Sequence, residues 1–267
     1  MNNKKYKIGL IIGTIITVVL LGAVIVSFFY LPYDPNEMNG SEKFLSPSSK
    51  HLFGTDNYGR DVFSRTLEGL KTTFLVALCT VGIGVFFGSV IGAITGYFGG
   101  LLDEVLMRIN DAAASFPSVL VAMVMVCIFG RGPVKLVLIM GIIFIPSFAR
   151  VMRGEFMKLK NRDFILNATV MGCSSWRIMF KHIFPNTLYT LLSSVAIGFN
   201  NAVLVEASLS YLGIGVQPPH ASLGRMLSEA QGYFSYQWCV LFPGMVMIFM
   251  ILGFVLLSES VVRIKRR

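Results

Sequence analysis

FLVALCTVGIGVFFGSVIGAITGYF, residues 74–98, runs for 25 residues without a charged side chain. At 1.5 Å per residue a helix of that length covers roughly 37 Å, enough to cross the ~30 Å hydrocarbon core of a bilayer. The run has neither the alternation of a strand nor the narrow apolar stripe of a soluble helix, so it reads as a membrane span. Within it Gly84, Gly88, Gly92 and Gly96 recur every fourth residue. That spacing stacks them on one helix face, where another backbone can come close. Glycine is common in membrane helices, yet four in register favour a helix-packing seam over chance. Whether its partner lies in this chain or in another subunit is not readable from spacing.

Working outward, five more apolar blocks fall at residues 8–30, 112–129, 134–148, 188–212 and 238–261. The fold class is therefore all-α, a polytopic membrane protein with about six transmembrane helices in one domain spanning 1–267. The fourth block is short and contains Pro146, and the third can be extended by the amphipathic segment 103–111. The first block is too long for the core of a secretory signal and has no small-x-small cleavage site, so it reads as an uncleaved helix. Composition agrees: 54% of the 267 residues are hydrophobic and 14% charged, against roughly 25% charged in soluble domains. The four cysteines and three histidines are scattered, which argues against a disulfide framework or a metal cage.

The net charge of +9 could indicate nucleic acid or a membrane surface, and its distribution decides. With the N-terminus, residues 99–111, the 150–186 loop and the C-terminal tail on one side, that side holds 15 of the 23 Lys and Arg. Three lie before residue 8, one is Arg108, seven fall between Arg150 and Lys181, and four follow position 262. The asymmetry is the positive-inside pattern and predicts that both termini face the cytoplasm. The charge is a topology signal, so no nucleic-acid partner is expected; the solvent of the spans is membrane lipid.

Two polar stretches are too long to be turns, an outer one from Leu31 to about Thr73 and an inner one from about Arg150 to Asn186. In 51–65, Gly54 and Gly59 permit positive φ, Asp56 can close an Asx-turn, and Asp61 with Arg65 can pair one turn apart on a helix entering the second span. This reads as a structured cap on the outer face, with too few oxygen ligands for a calcium loop. In the inner loop 150–186, Asp163 can cap a short helix, 164–171, that Gly172 stops. Ser174 or Ser175 then caps a second, in which Trp176, Met179, Phe180 and Ile183 form an apolar stripe and Pro185 marks the entry to the fifth span. Two such helices suit a docking platform for a soluble partner; an interfacial helix lying on lipid is the other reading of the second.

No phosphate-binding loop, nucleophile elbow or zinc-hydrolase motif occurs, so catalytic residues are not expected. Glu206 is the only acid well inside an apolar block, a thin basis for an ion-coupled carrier. A self-contained carrier or channel nevertheless stays the rival from another class.

Gly54-Thr-Asp-x-x-Gly-Arg-Asp-x-x-Ser-Arg65, with Leu31-Pro-Tyr-Asp-Pro35 before it, resembles a signature of the C-type membrane subunits of dipeptide, oligopeptide and nickel ABC importers. Glu206-Ala-Ser-Leu-Ser-Tyr-Leu-Gly-Ile-Gly-Val-Gln-Pro-Pro219 and Ser222-Leu-Gly-Arg-Met-Leu-Ser-Glu-Ala230 are similar to the same family's late signature, with Leu223 where a Trp is usual. The resemblance implies the ABC importer permease fold in the bacterial inner membrane. It also implies a second related permease as partner, two cytoplasmic ABC ATPases and an extracytoplasmic substrate-binding protein. No cofactor belongs to this chain on that reading; ATP and magnesium bind the ATPases. The family's ATPase-contact motif, Glu-Ala-Ala-x-x-x-Gly, aligns with Leu166-Asn167-Ala168-Thr-Val-Met-Gly172. Here the glutamate is replaced by Leu166 and the first alanine by Asn167, so Asp163, Phe164, Leu166, Asn167, Ala168 and Gly172 are the candidate coupling residues. The substrate leans to peptides on the breadth of the family, with nickel or a nickel chelate as the alternative.

Overall fold

The computed structural model describes residues 3–265. Arg266 and Arg267 of the basic tail lie outside the described residues, as do the side chains of Lys4, Lys5, Lys7, Arg263 and Lys265. In chain order the helices are α1 (Asn3–Phe29), α2 (Val62–Phe98), α3 (Gly100–Ala114), α4 (Ser118–Phe129), α5 (Pro133–Lys160) and α6 (Asp163–Val170). There follow α7 (Ser175–Arg177), a π-helical turn (Ile178–Ile183), α8 (Phe184–Tyr211), α9 (Leu223–Ala230) and α10 (Trp238–Lys265). Among the described residues the only β contact is a single bridge between Thr55 and Asp61.

Five helical segments are long and apolar enough to cross a membrane: Ile8–Phe29, Val62–Phe98, Pro133–Lys160, Ser175–Tyr211 and Trp238–Ser258. The helices α3 and α4, bent by 88° at their break, are apolar enough only when taken together, as a broken sixth span or a re-entrant loop. The chain is thus an all-α, polytopic membrane protein. At its centre α2 packs along α5 and then α8, while α1 lies against α10 on the periphery.

Four block boundaries differ from the apolar runs, each for a physical reason. The second helix starts at Val62, well before residue 74, because Asp61 accepts the Ser64 N–H at 2.7 Å and caps it there. The third block is not one span from 112: residues 112–114 finish α3, and Pro117 disfavours helical backbone at Phe116, so 103–111 does not extend α4. The fourth block does not stop at 148. Its continuation to Lys160 is anchored where Arg153 makes two hydrogen bonds to Asp103 of α3, at 2.6 and 2.7 Å.

The fourth difference concerns the second short helix expected at 175–183. Ser174 does cap it, accepting the Arg177 N–H at 3.4 Å, but no loop follows. The helix passes through the π turn into α8, with the Phe184 N–H donating to the Met179 carbonyl five residues back. Pro185 therefore sits inside a continuous helix, after a turn whose wider, five-residue loop accommodates the ring.

Candidate coupling surface and helix seam

The four glycines of the register lie buried against α5. A Cβ on Gly84 would sit 3.0 Å from the Phe144 Cβ, and one on Gly88 2.7 Å from the Phe148 Cβ and 2.8 Å from the Ile145 carbonyl oxygen. On Gly92 it would strike the Ala149 carbonyl oxygen, and on Gly96 it would lie 2.7 Å from that of Arg153. Real Cβ atoms do not come that close to backbone. The α2 and α5 backbones touch only because nothing protrudes there, so the glycine seam is an intrachain one.

The same α5 carries α6. Asn161 and Arg162 alone separate them, and the Arg162 carbonyl accepts the Ile165 and Leu166 N–H groups at 2.9 and 3.1 Å. Arg162 is therefore the N-cap residue, and Asp163, expected in that place, is the first helical residue with its carboxylate at the positive end of the helix dipole. Ile165 and Ala168, one turn apart, are buried and fasten α6 to the bundle. The far end closes as a double-bonded glycine stop. Gly172 (φ 79°) donates to the Thr169 carbonyl at 3.0 Å, and Cys173 donates to that of Ala168 at 3.1 Å.

Of the expected coupling residues, Asp163, Phe164, Leu166, Asn167 and Gly172 lie on the exposed side of α6, whereas Ala168 faces the bundle. Val170 and Met171, 88% and 86% exposed, extend this surface. They were not singled out from the sequence, though an apolar pair just before a glycine stop is the signal that could have found them. The neighbouring stripe divides. Met179 and Ile183 are buried, while Trp176 and Phe180 stack in the open with ring centroids 5.7 Å apart. α6 thus presents an exposed apolar side at the end of α5, whereas Trp176 and Phe180 border a separate hollow beside Phe86 and Val90 of α2.

The opposite face is capped by residues 30–61 and 212–237. Gly54 and Gly59 take φ of 72° and 75°, and Asp56 closes its Asx-turn on the Tyr58 N–H at 2.8 Å. The expected Asp61–Arg65 pair does not form. Asp61 bonds His51 Nδ1 at 2.9 Å, and Arg65, almost fully buried, reaches the Pro35 carbonyl at 2.9 Å and Glu229 at 3.3 Å. Arg60 and Arg225 converge on the same Glu229 at 2.8 Å each. One α9 carboxylate therefore ties the start of α2 to the last connecting loop. At the exposed rim Lys50 holds the Glu42 carboxyl below its ordinary range, chiefly through their hydrogen bond.

Glu206 is fully buried in α8. Its carboxyl accepts the Ser210 hydroxyl at 2.6 Å and the Thr73 hydroxyl of α2 at 2.9 Å. Each hydroxyl in turn accepts a backbone N–H of the last loop, Val216 at 3.0 Å and Leu223 at 3.3 Å. Glu206 thus pins that loop to two spans.

Residues 88–267 match the family model described as "Binding-protein-dependent transport system inner membrane component". The dipeptide transport system permease protein DppC of Alkalihalophilus pseudofirmus is 35% identical over 97% of this chain and 84% of its own length. The protein of the same name in Haemophilus influenzae is 34% identical over 96% of this chain and 89% of its own. The glutathione transport system permease protein GsiD of Pectobacterium atrosepticum is 34% identical over 87% of this chain and 78% of its own. In three dimensions the chain resembles one from the inward-facing MetNI methionine ABC transporter, with a TM-score of 0.61 at 19% identity. That match covers 76% of this chain and 95% of the other. It is a likeness of fold.

Proposed function

This chain belongs to the family of binding-protein-dependent transport system inner membrane components, and from that premise we propose that it is the permease subunit of an ATP-driven importer of small peptides. The observation that carries the substrate class is the run of relatives at 34–36% identity named for dipeptides, peptides and glutathione. The nickel alternative is not favoured by these names.

In this reading a second, related permease completes the path, two ABC ATPases bind on the basic face, and a binding protein delivers peptide to the capped face. Both termini then lie in the cytoplasm. The chain itself hydrolyses nothing and holds no cofactor; ATP and magnesium act on the ATPases. Phe164, Leu166, Val170 and Met171 supply an apolar contact for an ATPase groove. Burying one such side chain is worth about 1.5–3 kcal/mol, enough to dock without the glutamate that Leu166 replaces. Because α6 hangs from α5 by two residues and α5 is locked to α2 by the glycine seam, a push on α6 moves both central spans together.

A strain lacking the gene and dependent on an imported dipeptide for an essential amino acid tests the substrate. The gene restores growth on the dipeptide, while ⁶³Ni accumulation stays unchanged. Restored nickel uptake without growth on the dipeptide overturns the peptide assignment.

A further inference from the structure

An unpaired polar side chain at the middle of a membrane helix is unstable against hydrocarbon, so it marks contact with water or with another polar group. Ser147 lies at the middle of α5, and Ser194 and Asn201, two turns apart on one face, straddle the middle of α8. All three line one open hollow of about 160 Å³ between the helices, floored by the Phe148 ring against Gly198. Among the described residues, neither the Ser147 hydroxyl nor the Asn201 amide has a hydrogen-bond partner, although both are exposed. Ser194 bonds only back to its own helix, to the Thr190 carbonyl at 2.9 Å.

The polar face continues. Arg150, one turn beyond Ser147, meets Asp111 of α3 at 2.8 Å, and the two side chains are 56% and 66% exposed. By contrast, Ile142 of α5 and Leu192 of α8, off this line, expose apolar side chains suited to lipid.

Building on the peptide-importer reading, we propose that Asn201, Ser194, Ser147 and the Arg150–Asp111 pair form one track, this subunit's wall of the substrate path. The mid-depth groups are uncharged donors and acceptors, which a peptide backbone can engage in exchange for water whatever its side chains. The ion pair, toward the α6 end of α5, meets the peptide's charged termini. Ser and Asn can also hydrogen-bond across a helix pair, but such seams are closely packed, whereas these groups border an open hollow.

The test uses the complete transporter with Cys79, Cys127, Cys173 and Cys239 of this subunit replaced by alanine. Ser147→Cys, nearly isosteric, and Asn201→Cys are treated with a charged, membrane-impermeant methanethiosulfonate, with Ile142→Cys and Leu192→Cys as references. The track predicts modification at least tenfold faster at 147 and 201 than at the references, slowed at least threefold by saturating dipeptide. Rates equal to the references overturn it in favour of lipid. Unreactive thiols that cross-link instead to the second permease overturn it in favour of a subunit interface. Fast modification that dipeptide does not slow upholds the water-lined track and overturns the peptide reading.

Discussion

At Gly92 even a methyl group would meet the Ala149 carbonyl, whereas a Cβ on Gly82, in the same helix, meets open space. Gly92→Leu is therefore expected to cost at least the roughly 1–3 kcal/mol of overpacking, and Gly82→Leu almost nothing. Thermal midpoints and monodisperse yield in detergent measure the difference; equal behaviour of the two variants would mean that the α2–α5 contact is not tight. The register was legible because it needs only the period of a helix. Its partner was not, because α5 offers Ile145, Ala149 and Arg153 backbone rather than a matching glycine pattern. Gly172 differs from these in needing conformation rather than space, since no neighbour lies near its Cβ position but its φ is 79°. Gly172→Val should lose most peptide-stimulated ATPase activity, while Gly172→Asn, which tolerates that φ, should keep more than half. If both variants keep wild-type activity, α6 is not the coupling helix, and Trp176 with Phe180 becomes the candidate contact.

Among the elements, three prolines show where sequence reading stops. Pro117 stands at an 88° break, Pro146 lies within an unbroken α5, and Pro185 follows a π turn in a continuous helix. The residue is the same; what differs is the tertiary support beside it, such as the Asn110 amide donating to the Pro146 carbonyl at 3.3 Å. Apolar blocks therefore gave the number of spans to within the bent α3–α4 pair, and their ends were misplaced where a cap at Asp61, a proline at 117 or the Arg153–Asp103 contact decided them. The buried acid is a second case. Position alone allowed Glu206 a role in ion coupling, but its two hydroxyl partners make it a clasp between α2, α8 and the last loop. Glu206→Ala leaves those hydroxyls short of an acceptor in a buried site, at about 1–3 kcal/mol each. It should lower the thermal midpoint and speed proteolysis between residues 212 and 222. Glu206→Gln keeps an acceptor and should retain at least half of the uptake. Well-folded Glu206→Gln protein with no uptake would instead favour a proton-handling carboxylate.

For the whole molecule, α6 and the Gly96 end of the seam share one face and the cap closes the other; the 15-to-8 division of basic residues predicts that the α6 face is cytoplasmic. Reporter fusions after residue 267 and within 41–50 should report opposite sides of the membrane, with the first cytoplasmic. What composition could not supply is the source of energy, because a chain without a phosphate-binding loop is equally compatible with a carrier. The deciding measurement is dipeptide uptake into proteoliposomes. Accumulation above the external concentration should require this chain together with its second permease, both ATPases, the binding protein and internal ATP, and should vanish when any one is left out. Uphill uptake by this chain alone, driven by a proton or sodium gradient, would contradict it.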